Sequence, residues 1–218
     1  MAQITGGELL VRCLHAEGVR YVHAITDGTY MMVLEALERL GKEFGIQLIV
    51  PRHEAAAAHA CDAYTRCAGE PAVVMACAGP GAANLIAGLM CAEAEGSPVV
   101  AITTTRRSTI SDSYVHQGGM QVSRHLDIFK PAVKWNGKVD HWNRIPAMVR
   151  HAFRVATSGR PGPVHILIPE DILNARDEET GVQIWTPEKY RVTESMPGDP
   201  TALAQAAELL AAADLVNI

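Results

Sequence analysis

Strand-like and helical apolar segments alternate from the N-terminus to about residue 175, joined by short turns that carry glycine or proline; no other feature restricts the fold as much. Short apolar runs predict strands over residues 21–25, 47–50, 72–77, 98–103, 132–135 and 163–168. Helical periodicity between them predicts helices over 7–17, 30–40, 54–67, 82–93 and 141–157. The strands are near-continuous Val, Ile and Ala, the pattern of a sheet buried on both faces. The expected fold is α/β, a parallel sheet of about six strands with helices on both faces. With 218 residues, 48% of them hydrophobic, the chain can bury a full core.

After Asp171 the pattern changes. Asn174-Ala175-Arg176-Asp177-Glu178-Glu179-Thr180-Gly181 is polar, and Pro187, Pro197, Gly198 and Pro200 follow with little apolar periodicity. A fresh helix begins at Thr201 and the chain stops soon after it. The expected division is a domain over 1–175, a linker over 176–200, and the first helix of a second, truncated domain over 201–218.

The charge balance narrows the partners. A net charge of −5 and a pI near 6.0, with Lys and Arg scattered along the chain, provide no basic field for nucleic acid. Met1-Ala2-Gln3-Ile4-Thr5 does not resemble a secretion signal, and no apolar run approaches the roughly 20 residues of a membrane span. The chain reads as cytoplasmic, with neither nucleic acid nor membrane as a partner. Its five cysteines lack a Cys-x-x-Cys pair and are expected to be buried thiols; its nine histidines show no metal-ligand spacing backed by a third candidate. His59 reads as a packing histidine and His53 as a more open one.

One carboxylate has a location as well as a charge. In Pro51-Arg52-His53-Glu54-Ala55-Ala56, Glu54 falls where the run Ile46, Leu48, Ile49, Val50 ends and an alanine-rich helical stretch begins. In open α/β sheets, ligands bind beyond the carboxyl ends of the strands. The small residues that follow would let this helix pack closely and keep the acid partly dry, a setting that suits a carboxyl to sharing a proton with a bound base. An acid here also favours the helix N-terminus through the macrodipole, and from these six residues alone that simpler reading is the stronger one.

Three motifs add to it: Arg52-His53-Glu54, Ala76-Cys77-Ala78-Gly79-Pro80-Gly81-Ala82-Ala83-Asn84, and Ser158-Gly159-Arg160-Pro161-Gly162-Pro163-Val164. In their order and spacing, from about Thr5 to Leu173, the chain resembles the N-terminal, pyrimidine-binding domain of thiamine-diphosphate enzymes of the acetolactate synthase and benzaldehyde lyase type. The resemblance implies a carboligase, lyase or decarboxylase acting on small-molecule 2-oxo acids or 2-hydroxy ketones, with this chain as the aminopyrimidine half. Glu54 would hydrogen-bond ring nitrogen N1′ and promote the imino tautomer that takes the proton from thiazolium C2, so the cofactor supplies the hard chemistry and the protein supplies orientation. Pro80, Gly81, Asn84 and Gly28 would lie beside the cofactor, and Gln121 would face the reacting centre as a second catalytic residue. His116 and Gln117, on the polar loop from 103 to 121, would face the substrate. A homo-oligomer, dimer or tetramer, is implied because the family's active site forms between two subunits.

The departures also matter. The family's Gly-x-Pro-Gly turn after the first strand is Ala24-Ile25-Thr26-Asp27-Gly28 here, with only Gly28 kept, and Cys77 replaces a threonine or serine. The Gly-Asp-Gly and Asn-Asn motif for diphosphate and magnesium, which belongs to a separate domain in the family, is missing; Gly198-Asp199 runs on to Pro200. No metal ligand is therefore assigned, and Mg2+ is expected to be held elsewhere. FAD is a further cofactor that the resemblance admits, decided mainly in the central domain. The ending at Leu215-Val216-Asn217-Ile218 suggests part of a longer polypeptide, with a second subunit as the other source of the missing domain. Two further readings are a catalytically silent cofactor-binding or dimerisation domain, and a nicotinamide or flavin oxidoreductase domain, the latter lacking a Gly-x-Gly-x-x-Gly after the first strand.

Overall fold

The computed structural model describes residues 3–111, 121–193 and 197–214. In chain order the elements are β1 (Gln3–Thr5), α1 (Gly6–Ala16), β2 (Tyr21–Ala24), α2 (Met31–Phe44), β3 (Gln47–Ile49), α3 (Glu54–Ala68), β4 (Ala72–Ala76), α4 (Pro80–Ala83), α5 (Ile86–Glu95) and β5 (Val99–Thr105). There follow α6 (Ser108–Ser111), α7 (His125–Phe129), β6 (Trp135–Lys138), α8 (Ile145–Thr157), β7 (Val164–Pro169), α9 (Glu170–Asn174), β8 (Arg176–Glu178) and α10 (Pro200–Ala211).

The strands β3-β2-β4-β5-β7-β6 form one sheet in that order, every pair parallel. The expected α/β sheet of six strands is the observed one. β4, β5 and β7 are buried along their whole length, which accounts for their predominantly apolar sequences. Side chains alternate between two cores, as a pleated strand requires. Val73 and Met75 join Leu9, Leu10, Leu14, Val33, Val149 and Phe153 from α1, α2 and α8 on one face. Ala72, Val74 and Ala76 join Ala57, Ala58, Cys61, Leu85, Leu89 and Ala92 on the other. The second face is built of small residues, so α3 and α5 lie close to the sheet and to each other.

Strand order creates a crevice. β2 leads through α2 to β3 on one side, while β4 leads through α4 and α5 to β5 on the other. The connections after β2 and β4 therefore part, and a space opens between the carboxyl ends of these neighbours, where such sheets bind ligands.

Three elements differ from expectation. The strand expected over 132–135 starts at Trp135, because Lys130–Ala132 forms a 3₁₀ turn around Pro131, a residue without a ladder donor. The helix expected over 82–93 is two helices, α4 and α5, the first with Pro80 at its opening. The one expected from 141 begins with a 3₁₀ turn, Trp142–Arg144, capped by His141, and becomes α-helical at Ile145. Two cysteine readings and one histidine reading also change. Cys67 and Cys91 are exposed on the outer faces of α3 and α5, as is His59 on α3.

The stretch from 176 opens with structure. β8 pairs antiparallel with β1, Thr5 opposite Arg176, and the Tyr190 hydroxyl donates to Glu17 on α1 while Arg191 lies 3.1 Å from the same carboxylate. Beyond it, α10 is exposed along its whole length, including Leu203, Leu209 and Leu210. Among the described residues, no helix is long and apolar enough to cross a membrane.

Candidate active site

Glu54 is the first residue of α3. The helix starts there because His53 is extended (φ −157°, ψ 145°) and its Nδ1 accepts the Ala55 amide at 3.1 Å. Glu54 is half-buried. Its Oε2 accepts a hydrogen bond from Asn84 Nδ2 at 3.0 Å, while Oε1 has no protein partner among the described residues.

The other wall is the turn after β4. Gly79 has φ 71° and ψ −120°, a conformation only glycine adopts without strain. It swings the chain so that Gly81 faces the acid. A Cβ on Gly81 would stand 3.0 Å from Glu54 Oε1 and 2.3 Å from Cys77 Sγ. The missing side chain thus lets Cys77 Sγ and Glu54 Oε1 approach the turn closely. Pro80 is exposed at the rim, and Asn84 is placed by its own amide donating to the Pro80 carbonyl at 3.0 Å. Burial, and then the Asp27 and Glu54 carboxylates, push the Cys77 thiol above its ordinary range. Cys77 is therefore held as the neutral thiol.

Of the residues singled out in the sequence, Glu54, Gly81 and Asn84 come together at this point, with Pro80 beside them. Gly28 is exposed in a 3₁₀ turn with open space around it. Gln121 is half-buried. His116 and Gln117 lie outside the described residues. Among the described residues, no group of three or more His, Cys, Asp or Glu could hold a metal ion.

Sequence reading missed a polar cluster beneath the crevice. Asp27 Oδ1 accepts from the Thr29 amide at 2.8 Å and from its hydroxyl at 2.6 Å, and that hydroxyl also meets Thr104 at 2.5 Å. Nearby, His125 bridges the Gly79 amide and Thr103, and Thr103 meets His165. The only trace of these groups in the sequence is polarity in apolar strands: the threonine run Thr103-Thr104-Thr105 ending β5, and one histidine within Val164–Pro169.

An acid, an amide and a glycine turn gathered at the switch point of a parallel sheet define a ligand-binding domain of the doubly wound α/β class. Residues 4–127 match the family described as thiamine pyrophosphate enzyme, N-terminal TPP binding domain, and the chain belongs to that family. It is 34% identical over 210 residues to a probable acetolactate synthase large subunit of Methanocaldococcus jannaschii, covering 94% of this chain and 34% of that protein. It is 35% identical over 174 residues to the acetolactate synthase isozyme 3 large subunit of Escherichia coli, covering 80% and 29%. It is 37% identical over 169 residues to the chloroplastic acetolactate synthase 3 of Brassica napus, covering 77% and 24%. The chain spans about a third or less of the length of these relatives.

Proposed function

We propose that the chain supplies the aminopyrimidine half of a thiamine-diphosphate-dependent, acetolactate synthase-like enzyme acting on 2-oxo acids or 2-hydroxy ketones. The observation that carries this reading is the half-buried Glu54 carboxylate: Oε2 is fixed by Asn84, and Oε1, with no protein partner among the described residues, lies beside Gly81. That arrangement fits the edge of a flat ring bearing a nitrogen. When bound, thiamine diphosphate supplies a carbon nucleophile that later accepts electrons. Glu54 would hold a proton at the ring nitrogen, Asn84 would keep the carboxylate aimed, and Pro80 and Gly81 would line the ring's approach. Gln121 faces the reacting centre in this reading, with Gly28, His116 and Gln117 on the substrate side.

Mg2+ and the diphosphate would be held by a domain other than this one, and an FAD site would belong to the central domain, of which α10 would be the first helix. The site is open on one side, where Arg52, His53 and Pro80 are exposed, and Met31, Val50 and Met90 are apolar and more than half exposed. Both features support a homo-oligomer in which a second subunit covers the crevice. The proposed setting is cytoplasmic.

The test is Glu54→Gln in the complete enzyme. The side chain keeps its size and, through its amide oxygen, its hydrogen bond to Asn84, but it can no longer take up or release a proton, so the fold should persist by circular dichroism while activity falls about 10²–10⁴-fold. Activity kept at the parent level would overturn the assignment. A second reading, a silent cofactor-binding or dimerisation half, draws on the 25–28 turn, where Asp27 is occupied by Thr29 and Gly28 meets nothing. Cofactor binding without turnover in the parent protein would favour it.

A further inference from the structure

The Gly79-Pro80-Gly81 turn is held from behind by a buried chain of three side chains. The Gly79 amide donates to His125 Nε2 at 3.1 Å. His125 Nδ1 and Thr103 Oγ1 are 3.1 Å apart, and Thr103 Oγ1 and His165 Nε2 are 2.7 Å apart. His125 and Thr103 sit on different elements, α7 and β5, and His165 comes from β7, its ring stacked on Phe129 with centroids 3.8 Å apart. All three are essentially shut off from water, at 1%, 0% and 0% exposure.

The Gly79 amide fixes the direction of the first two bonds. An amide can only donate, so His125 Nε2 must be an unprotonated acceptor. A neutral imidazole then carries its proton on Nδ1, which donates to Thr103. The threonine oxygen keeps a second lone pair and its own proton, so it meets His165 Nε2 as either donor or acceptor. The other ring nitrogen, His165 Nδ1, is buried and has no partner among the described residues. Burial holds both imidazoles neutral, pushing His125 down to about 4 and His165 well below its ordinary value, the latter also through His125. The charged neighbours on α7, Arg124 and Asp127, are exposed and pair with each other at 2.6 Å.

We infer that His125, in the tautomer protonated at Nδ1 and fixed by Thr103 and His165, is a positioning residue that sets the glycine-proline-glycine turn against Glu54. The inference rests on the reading of that turn as a cofactor wall. Without the acceptor, a buried amide is left unmatched, and the turn can recover water only by moving away from the acid.

The complete apoenzyme, titrated calorimetrically with thiamine diphosphate in Mg2+ at pH 7.5, provides the test, together with nitrogen-15 spectra of its histidines. His125 should show the Nδ1–H tautomer. His125→Leu, which fills space but accepts nothing, should raise the cofactor Kd by at least about fivefold. His125→Gln restores an acceptor and should bring the Kd back toward the parent value, a recovery that a pure packing role would not give. Thr103→Val should move Kd in the same direction as His125→Leu and release the tautomer. Parent-like binding by His125→Leu, equal weakening by the Leu and Gln variants, or an Nε2–H tautomer in the parent would each overturn the inference. A parent protein that binds no thiamine diphosphate would instead overturn the reading of the site, and the positioning role with it.

Discussion

A methyl group at Gly81 tests the packing of the crevice from both sides at once. The backbone there is not in the left-handed region, so Gly81→Ala is free of conformational strain, and alanine gains about 0.5–1 kcal/mol over glycine in a helix. The cost is steric. The new Cβ would fall 2.3 Å from Cys77 Sγ, well inside contact distance, and 3.0 Å from Glu54 Oε1. Overpacking of this kind costs about 1–3 kcal/mol, leaving a net loss of roughly 0–2.5 kcal/mol once the helical gain is subtracted.

The two contacts can be separated by deleting the sulfur. Cys77→Ala alone should cost about 1 kcal/mol, as a half-buried side chain is trimmed. In the double variant the alanine methyl occupies the space the sulfur has left, so the two changes should compensate by about 1–2 kcal/mol relative to their sum. The contact with Glu54 is untouched by that rescue. Cofactor affinity in the double variant should therefore stay about tenfold or more below the parent, because the acid is displaced from its working position. Urea unfolding of the four proteins gives the coupling, and calorimetric titration gives the affinity. Additive stabilities, within about 0.5 kcal/mol, would refute the geometry of the Gly81–Cys77 contact, and full recovery of affinity would refute the role given to Glu54 Oε1.

The buried histidines make an acid-stability prediction of definite sign. The folded state holds His125 at about 4 against an unfolded value of about 6.5, so the unfolded chain takes up more protons in that interval and stability falls as pH drops from 6.5 toward 4. At 1.36 kcal/mol per unit, His125 alone accounts for about 3 kcal/mol; the fall in urea midpoint from pH 7 to pH 4.5 should be smaller in His125→Gln than in the parent, and an equal fall would refute the neutral state of His125. On the same face of the sheet, a Cβ on Gly88 would meet Ala58 Cβ at 2.4 Å and the His59 amide nitrogen at 2.8 Å. Gly88→Ala should therefore destabilise by about 1–3 kcal/mol and, by shifting α3, weaken cofactor binding; an unchanged melting temperature would show that α3 and α5 are not so tightly opposed.

What the sequence reveals follows from how local each signal is. β4, β5 and β7 are legible because burial on both faces imposes a predominantly apolar run that no turn or exposed helix would carry. Glu54 is legible because its strand end and its helix start are adjacent in the chain, and the Gly79-Pro80-Gly81 turn because glycine and proline mark it directly. The strand at Trp135–Lys138 is misplaced because the apolar residues before it serve a 3₁₀ turn and a connector, and β8 is obscured because its three residues are all exposed and polar.

The relay behind the turn has no local signal of any kind. His125 is 46 residues from Gly79 and 22 from Thr103, and His165 is 62 from Thr103. Only the parallel register, which sets Ala101 opposite His165 and Thr103 opposite Leu167, puts the threonine within diagonal reach of the histidine on the same face. A single histidine inside an apolar strand ordinarily reads as packing. Its polarity acquires meaning here because the adjacent strand ends in threonines at the carboxyl edge of the sheet. Polar residues are costly in so dry a place unless each is matched. Their clustering under one turn therefore indicates that the position of that turn is what the match secures.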